Sequence, residues 1–416
     1  MKILYVSQSF YPSTGGVSYY LIWLGRRLKQ LGHTSVFVNL KTKGNSDTVV
    51  EGMNVYRVPR DGAIDSIAMS GYSKYKELVL KIFHGKDPAL DKFYNKHLYG
   101  YEGYVKVNEK FAERVKEVAD ISKPDIIHVH DFQLLPLGGM LKGLGLPMPF
   151  TWHIPFTEDA HQSWRELIVK NLNEYSKVVF STKPYINAAL KSGIAWSKPC
   201  CIPPFIDVEE PKRSFRKSYG IQKNVKVILC VARIDKLKGQ SVLLDAAARL
   251  KSNYRIIFIG NGSVTKEFLK IKEKEDYERE LKSKVDDYNL KEKVLFTGAI
   301  DRDSLMSAYK ECDLVVLPSH QEGFGLAITE AMAFGKPVIG SAVGGIPTQI
   351  WPGVNGYIVK PNDPGAMAEA IDYILSNVGR SREMGENGKK IYQTNFSTER
   401  GVQDHLALYR EVLTGA

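Results

Sequence analysis

With 416 residues, of which 44% are hydrophobic and 25% charged, the chain has the composition of a soluble globular protein and is too long for one ordinary core, which predicts two or three domains. The net charge of +11 is uneven: residues 1–200 hold 26 Lys and Arg against 18 Asp and Glu, and the remainder holds 31 against 28. No zinc finger, RNP-like aromatic motif or arginine stripe accompanies this charge, so nucleic acid is not the expected partner. The basic N-terminal half instead favours an anionic small-molecule ligand, peripheral contact with an anionic membrane, or plain solubility.

The chain opens on a predicted buried strand, followed by a glycine-containing loop and a helix. The apolar stretch Ile3–Val6 is too short for a signal peptide, and no run approaches the roughly 18 apolar residues of a membrane span, so we expect a cytoplasmic protein. Gly15 and Gly16 precede a helix predicted over 17–32, and a strand over 34–39 completes a β-α-β unit, which predicts a parallel sheet. The loop lacks the G-x-G-x-x-G dinucleotide fingerprint, and a tight turn without a ligand is the alternative interpretation.

Residues 63–105 are less regular and rich in aromatic side chains. The simpler interpretation is packing within inserted helices. The alternative is a platform that faces a sugar or lipid ligand, such as the acceptor in a transfer reaction, because aromatic rings stack on sugars and lipids alike. The aromatic residues are Tyr72, Tyr75, Phe83, Phe93, Tyr94, Tyr99, Tyr101 and Tyr104.

Histidines lie at the ends of two further predicted strands. The strand that begins at Asp125 carries His128 and His130, and the strand over 149–153 ends in His153. Open α/β sheets bind ligands at the carboxyl ends of their strands, so we expect a functional role for His153, although a lone histidine is more often structural. The spacing supplies no third ligand for a metal, and the four cysteines form no C-x-x-C pair, so no metal site is predicted and the cysteines are expected to be reduced core thiols.

An anion site is predicted where the second domain begins. A strand over Val225–Val231 leads to Arg233 and Lys238, five residues apart, and Gly239 opens the next helix. Two cations beside a helix N-terminus at a strand end suit a phosphate, whereas solvated basic side chains are the simpler alternative. Gly260 lies in a later strand-to-helix turn, which taken alone is only weak evidence for a nucleotide-binding site.

The longest motif of the chain lies at residues 319–346. The β-branched, apolar strand Leu314–Leu317 leads into it. Gly323 and Gly325 allow the backbone to approach a ligand closely, and the helix predicted over 326–334 directs free N–H groups at that ligand. These features predict a second anion site.

Two glutamates frame the start of this helix. Glu322 stands just before it and Glu330 stands about two turns further on. Carboxylates accept hydrogen bonds from hydroxyls and repel phosphates. A phosphate site between two hydroxyl-binding groups fits a nucleotide sugar. The alternative is that each glutamate is a solvated helix-start acid.

The whole motif closely resembles the donor-binding signature of the GT-B retaining glycosyltransferases of family four, the glycogen-synthase-like and sucrose-phosphate-synthase-like group. It combines an E-x7-E spacing with Gly-Phe-Gly-Leu, Thr-Glu-Ala-Met, Gly-Lys-Pro-Val and a closing Gly344-Gly345. The resemblance covers nearly the whole chain, most strongly over 225–360 and most thinly over 40–125. It implies an α/β protein of GT-B architecture, with two Rossmann-like parallel-sheet domains facing each other across a cleft.

The same resemblance implies the domain boundaries. Residues 1–204 would form an acceptor-binding domain, residues 205–396 a nucleotide-sugar-binding domain, and residues 397–416 a helix that packs back on the first domain. One departure falls at the linker, where Pro204-Phe205 stands in place of the family's usual Asn-Gly pair, although Asp207 matches.

The resemblance also implies roles for the site residues. His153 would contact the sugar, and Arg233 and Lys238 would hold the donor diphosphate; with Glu322, assigned to the sugar hydroxyls, they form the predicted catalytic group. We assign Glu330 to the ribose hydroxyls. The predicted donor-binding residues are Gly15, Gly16, Gly260, Gly323, Phe324, Gly325, Leu326 and Glu330.

The implied activity is retaining transfer of a hexose from a UDP-, GDP- or ADP-sugar to a hydroxyl of a sugar, glycan or lipid-linked acceptor. The nucleotide sugar is a co-substrate, and no cofactor or metal is expected, because no D-x-D pattern stands where it could hold a divalent ion. Three alternatives share the architecture: a glycan phosphorylase, which needs a pyridoxal-phosphate lysine, a nucleotide-sugar epimerase, and a non-catalytic sugar-binding protein.

Overall fold

The computed structural model describes residues 1–11, 15–41, 46–84, 99–261 and 268–415, and for residues 268–275 it describes the backbone alone. Within these ranges the chain divides into two compact units. The N-terminal unit comprises Met1–Pro204 and Thr398–Ala416, and the C-terminal unit comprises Phe205–Ser397.

Each unit is built on its own sheet. The strands of the N-terminal sheet are β1 Lys2–Ser7, β2 Thr34–Leu40, β3 Thr48–Val50, β4 Met53–Val58, β5 Ile126–His130, β6 Phe150–Thr151, β7 Val178–Phe180 and β8 Pro199–Cys201. Those of the C-terminal sheet are β9 Lys226–Val231, β10 Tyr254–Ile259, β11 Val294–Gly298, β12 Leu314–Leu317, β13 Val338–Ser341 and β14 Gly356–Val359.

Helices follow most of these strands along the chain. In order they are α1 Gly16–Gln30, α2 Ser66–Phe83, α3 Tyr101–Ser122, α4 Leu137–Leu141, α5 Gln162–Leu172, α6 Lys183–Lys191, α7 Phe215–Ser218, α8 Gln240–Ala247, α9 Phe268–Asp287, α10 Arg302–Glu311, α11 Leu326–Ala333, α12 Pro364–Ser376, α13 Val378–Asn395 and α14 Thr398–Thr414. Among the described residues, no helix combines the length and the apolar character needed to cross a bilayer.

The N-terminal sheet has the strand order β3-β4-β2-β1-β5-β6-β7-β8, and its pairs are parallel except for β3 with β4. Because side chains alternate across a strand, each strand contributes side chains to the packing on both faces of the sheet. Leu4 and Val6 join the apolar core that includes residues of α2 and α3. Tyr5, between them, faces the other way and reaches Tyr409 of α14, their hydroxyl oxygens 3.0 Å apart. The C-terminal helix is thus part of the N-terminal unit.

The C-terminal sheet is wholly parallel, in the order β11-β10-β9-β12-β13-β14. Its inner strands are buried on both faces, as all four residues of β12 show. A run of apolar β-branched residues bounded by a proline therefore forms a strand here for the reason that its sequence predicts. The α/β fold with two parallel-sheet, Rossmann-like units is confirmed.

The aromatic residues of 63–105 do not form the predicted ligand-facing platform where the structure describes them. Tyr72, Tyr75, Phe83 and Tyr104 are buried in the core between α2, α3 and the sheet, so they pack and do not form a platform that faces an acceptor. Tyr99 and Tyr101 lie partly buried against the same core. The two remaining residues of that prediction, at 93 and 94, lie outside the described residues.

The four cysteines are free thiols. Cys230 and Cys312 are buried, as expected of core residues, whereas Cys200 and Cys201 are only partly buried. Burial raises the pKa of Cys200, Cys230 and Cys312 to about 12, so these three remain protonated thiols at neutral pH.

Candidate functional site

Two loops of the C-terminal unit leave the sheet at the same edge. Strands β9 and β12 are parallel neighbours, paired at Leu229 with Val315, so the loops that follow them emerge side by side. The backbone amides of His320 and Gln321, in the loop after β12, both donate to the carbonyl of Leu237, in the loop after β9. Residues more than 80 positions apart in the chain are thereby held as one surface.

Lys238 and Glu322 form an ion pair across these two loops. The Lys238 Nζ lies 2.8 Å from Glu322 Oε2, and both side chains are largely buried. The hydroxyl of Ser319 donates to the same oxygen at 3.3 Å, and the amide of Gly323 donates to Glu322 Oε1 at 3.2 Å. The structure therefore brings two of the predicted catalytic residues into direct contact.

Arg233 lies in the same loop as Lys238 but is more exposed. Its guanidinium Nη2 is 4.0 Å from Asp235 Oδ2, and its side chain is 54% accessible. Its carbonyl accepts a hydrogen bond of 2.7 Å from the side-chain amide of the buried Gln240. The backbone is thus anchored while the guanidinium reaches solvent at the loop surface.

Glycines allow the loops to pack this closely. Gly239 has a φ of +65°, and a β-carbon built there would lie 2.0 Å from the carbonyl oxygen of Pro318. Gly344 has a φ of +54°, and its β-carbon would lie 1.8 Å from the carbonyl oxygen of Glu322. Gly260 is placed below the first loop, where its amide donates to the carbonyl of Gly298 at 3.0 Å and a β-carbon would meet the Ala232 carbonyl oxygen at 2.2 Å. Only residues without a side chain fit these contacts.

Gly239→Ala is expected to destabilise the C-terminal unit and to separate Lys238 from Glu322, because the new methyl group must displace the Pro318 carbonyl. Gly220→Ala is the matched control, since Gly220 has a φ of +63° with no atom within 4 Å of its ideal β-carbon position. The control carries only the left-handed backbone cost of about 1 kcal/mol. Thermal melts of both variants check this, and equal losses would contradict the packing argument.

The helix that follows the second loop begins without a side-chain cap. Gly325, with a φ of +89°, is the residue before α11 and has no side chain to cap the helix, and Leu326 is its first residue. The buried Gln349 fixes the turn by donating from its side-chain amide to the Phe324 carbonyl at 2.5 Å. Gly323 is fixed by the amide of Gly345, which donates to its carbonyl at 2.9 Å. A rigid turn thus leads into the positive end of a helix dipole.

Glu330 occupies a second, deeper position on the same helix. It is 9% accessible, and its two oxygens accept hydrogen bonds of 2.9 Å from Arg302 Nη1 and 2.7 Å from the Tyr309 hydroxyl. Arg302 also donates to the carbonyl of Asp207 at 3.0 Å. Neither Glu330 nor Glu322 is the solvated helix-start acid that the sequence left open. Arg302 and Tyr309 were missed, because no local pattern marks a partner 28 or 21 residues away.

The N-terminal unit gathers a separate group at its own sheet edge. Strand β5 lies between β1 and β6, so His130 at its end is paired with Ser7 and Thr151. His153 follows β6 by two residues, and its ring Nε2 lies 3.1 Å from His130 Nδ1. Both rings are neutral at pH 7: burial lowers the pKa of His153 to about 3, and burial together with the neighbouring histidines holds the pKa of His130 well below 6.5.

Sequence reasoning missed Asp131, which directly follows β5. It has a φ of +74°, which is unusual for a residue with a side chain. Its Oδ1 accepts from the backbone amide of His153 at 3.1 Å, and burial raises its pKa to about 6. Strained backbone and a shifted carboxyl pKa often mark functional sites.

The Gly15-Gly16 turn lies one helical turn before Tyr20, which packs against His153. Gly15 is the residue before α1, and its carbonyl accepts from the amides of Ser18 and Tyr19 at 3.0 and 3.2 Å. Tyr20, one turn on, presents its ring edge to His153 with centroids 5.3 Å apart, and its hydroxyl lies 2.7 Å from His405 Nε2 of α14. The C-terminal helix therefore contributes to the packing around His153.

His128, the other histidine of β5, forms hydrogen bonds with side chains of the protein itself. His128 Nδ1 lies 2.8 Å from the Tyr409 hydroxyl and its Nε2 lies 2.8 Å from Thr151 Oγ1. Across the described ranges, no group of three or more His, Cys, Asp or Glu residues has the arrangement of a metal site.

The predicted site residues thus fall into two sets. Gly15, Gly16 and His153 lie in the N-terminal unit. Arg233, Lys238, Glu322 and the remaining donor-binding positions lie in the C-terminal unit, where Lys238 and Glu322 are in direct contact and Glu330 is bound separately by Arg302 and Tyr309.

Comparison with known proteins divides the chain in the same way. Residues 211–391 match the glycosyl transferases group 1 model, and residues 16–193 match the glycosyltransferase family 20 model. The match to family 20 differs from the family-four resemblance of the motif in the C-terminal half, so family four remains a prediction.

Relatives and solved structures agree with these matches. An uncharacterized glycosyltransferase of Methanocaldococcus jannaschii is 28% identical over 326 residues, covering 72% of this chain and 78% of the relative. The sucrose-phosphate synthase of Thermosynechococcus elongatus has a TM-score of 0.75 at 23% identity, with 100% of both chains covered. The UDP-forming alpha,alpha-trehalose-phosphate synthase of Burkholderia xenovorans has a TM-score of 0.78 at 20% identity, with 99% of both covered. The sheet topology, the two model matches and these likenesses together identify the chain as a hexosyltransferase enzyme with the GT-B glycosyltransferase fold.

Proposed function

We propose that the enzyme transfers a hexose from a nucleoside-diphosphate sugar to an acceptor hydroxyl, with retention of the anomeric configuration, and that its C-terminal unit binds the donor in the manner of family four. The observation that carries this proposal is the contact between Lys238 and Glu322 beside the uncapped start of α11. It places a cation, a carboxylate and a helix dipole at one strand edge. These three kinds of group are complementary to a diphosphate joined to a sugar.

The charge of each group determines which part of the donor it binds. The Lys238 ammonium, the Arg233 guanidinium from the same loop and the positive end of α11 attract the diphosphate. Glu322 repels phosphate and accepts hydrogen bonds from hydroxyls, so it binds the hexose. Its ion pair holds Lys238 in place before the donor arrives.

The same groups serve the chemical step. When the bond between the anomeric carbon and the phosphate oxygen breaks, its electron pair stays with the diphosphate and the anomeric carbon becomes cationic. Preorganised cations at the leaving diphosphate stabilise that charge. The acceptor hydroxyl oxygen forms the new bond to the anomeric carbon, and its proton passes to the departing phosphate oxygen. We propose that these protein groups supply the positive charge and that turnover needs no divalent cation.

Glu330 is proposed to bind the ribose hydroxyls. Arg302 and Tyr309 each use one of its oxygens, and a carboxylate has about four acceptor positions, so two remain for a ribose. Because the two side chains fix the carboxylate on a buried helix, its orientation is set before the nucleotide binds.

The comparisons suggest where a substrate search begins. A structural likeness is to a UDP-forming trehalose-phosphate synthase, which favours uridine as the donor base. The names of the trehalose-phosphate synthase and of the sucrose-phosphate synthase each include a sugar phosphate. The excess of Lys and Arg in residues 1–200 suits an anionic acceptor. We therefore propose UDP-hexose as donor and a sugar phosphate as acceptor.

Nucleotide release tests this proposal. Purified protein is first screened by thermal shift against UDP-, GDP- and ADP-hexoses, and the stabilising donor is then incubated with sugar phosphates or neutral sugars in the presence of a chelator. We expect acceptor-dependent release of the nucleoside diphosphate and an α-linked product from an α-linked donor, seen by proton NMR.

Other outcomes point to the alternatives. Cleavage of a glycan that depends on orthophosphate would indicate a phosphorylase, and an isomerised donor in the absence of any acceptor would indicate an epimerase. Loss of turnover in the chelator would contradict the proposed metal independence while leaving the transfer reaction intact.

A further inference from the structure

His130 and His153 meet through a single hydrogen bond in the N-terminal unit. His130 Nδ1 and His153 Nε2 are 3.1 Å apart, while the ring centroids are 5.4 Å apart and the ring planes differ by 20°. Centroids so much further apart than the nitrogens mean that the rings meet edge to edge, nearly in one plane. This is the geometry of an N–H···N hydrogen bond, in which one of the two rings carries the shared proton.

Each ring has one proton to place. Burial keeps both imidazoles neutral near pH 7, and a neutral imidazole has one N–H donor and one bare nitrogen. Either His130 donates from Nδ1, which leaves its own Nε2 bare and puts the proton of His153 on Nδ1, or His153 donates from Nε2, which puts the proton of His130 on Nε2 and leaves Nδ1 of His153 bare.

The Nε2 atom of His130 distinguishes the two arrangements. His130 is fully buried, and the described part of the chain offers its Nε2 no hydrogen-bond partner. The nearby His128 cannot serve, because both of its ring nitrogens are engaged by Tyr409 and Thr151. A buried N–H without an acceptor is rarer in proteins than a bare acceptor, so the proton of His130 belongs on Nδ1.

We propose that His130 is a positioning residue, which donates from Nδ1 to His153 Nε2 and thereby fixes His153 in the tautomer protonated on Nδ1. The partly exposed His153 then offers its ligand an N–H donor and no acceptor. The ligand group that it recognises is therefore an accepting oxygen, which the proposed function makes an oxygen of the sugar substrate. Asp131, the next residue after His130, holds the backbone of His153 through its amide.

The tautomer can be read directly. In protein labelled with 15N-histidine, two-bond correlation spectra at neutral pH distinguish protonated from bare ring nitrogens. We expect His153 to show a protonated Nδ1 and a bare Nε2, and His130 to show a protonated Nδ1. A bare Nδ1 in His153 of the wild-type protein overturns the proposal, whether or not the protein transfers any sugar.

Variants separate positioning from packing. His130→Asn keeps an amide donor near the position of Nδ1, and His130→Leu removes it. We expect His130→Leu to lower kcat/KM by about 10- to 100-fold and to mix the two tautomers of His153, while His130→Asn restores the wild-type pattern and most of the activity. His405→Gln is the matched control, since His405 is equally buried in the same cluster but bonds Tyr20 instead of His153.

The control should leave the nitrogen signals of His153 unchanged. If His130→Leu also leaves these signals and kcat/KM unchanged in folded protein, His130 is a packing residue and the proposal fails. A variant that does not fold leaves the wild-type spectrum as the deciding measurement.

Discussion

Arg233→Ala is expected to lower kcat by about 10²- to 10³-fold without changing the melting temperature. The guanidinium would meet the leaving diphosphate, so its loss removes charge stabilisation from the transition state. The backbone of the loop is anchored independently, through Gln240 on the Arg233 carbonyl. Because the side chain is more than half exposed, the substitution costs little folding energy. Steady-state kinetics with the donor found above, together with a thermal melt, provide the measurement.

Lys236→Ala is the control for this prediction. Lys236 lies in the same loop, carries the same charge and is 66% accessible, but its ammonium lies 3.9 Å from Glu280 Oε2. We expect its kcat to remain within a factor of about 3 of wild type, as is usual for surface substitutions of small energetic effect. Near-normal turnover by Arg233→Ala, or an equal loss in both variants, would contradict the assignment of the diphosphate to Arg233.

Lowering the pH from 7 to about 5 is expected to destabilise the N-terminal unit by several kcal/mol. Four of the nine histidines, His128, His130, His153 and His405, lie in one cluster with Tyr5, Tyr20 and Tyr409. Burial lowers the pKa of His405 to about 4 and that of His153 to about 3, against about 6.5 in an unfolded chain.

The loss of stability at low pH follows from the difference in proton binding between the folded and the unfolded chain. Below pH 6.5 the unfolded chain takes up protons on these histidines and the folded chain does not, so stability falls with pH, by about 2 kcal/mol for one such histidine at pH 5. Asp131 acts in the opposite sense, because its folded pKa of about 6 exceeds the unfolded value, and it offsets about 1 kcal/mol at that pH. The Gly401 carbonyl and Asp404 raise the pKa of His405, and its value of about 4 already includes both effects. The histidines outweigh Asp131.

Urea unfolding at several pH values checks this prediction. Tryptophan fluorescence follows the N-terminal unit, since the buried Trp152 and Trp164 belong to it. His405 donates from Nδ1 to the Gly401 carbonyl, so its bare Nε2 accepts from Tyr20, and His405→Gln keeps an acceptor there without a titrating group. This variant should lose about 2 kcal/mol less than wild type between pH 7 and 5. The exposed His161, replaced by Asn, is the control, and parallel curves for all three proteins would contradict the account.

Local sequence patterns predict the strand and helix around the motif at 319–346. The run Leu314–Leu317 forms a strand with the predicted bounds, because a short apolar segment of this kind can bury both of its faces in a parallel sheet. The helix predicted over 326–334 ends one residue earlier, at Ala333. The strand predicted over 149–153 is reduced to Phe150–Thr151, so His153 stands in a loop.

Long-range contacts were beyond the reach of the sequence. The partners of Glu330 come from α10, and the environment of His153 comes from β5, α1 and α14. Hydrogen bonds between residues so far apart depend on the way the helices pack against the sheet, which no spacing rule encodes. The motif at 319–346 could be read because its glycines and glutamates act within one loop and one helix.

A structure of the protein with a bound nucleoside diphosphate tests the central claim most directly. We expect diphosphate oxygens within about 3 Å of the Arg233 guanidinium and the Lys238 ammonium, and backbone amides at the start of α11 directed at the same group. A diphosphate bound elsewhere, with Arg233 and Lys238 making no contact with it, would contradict the claim.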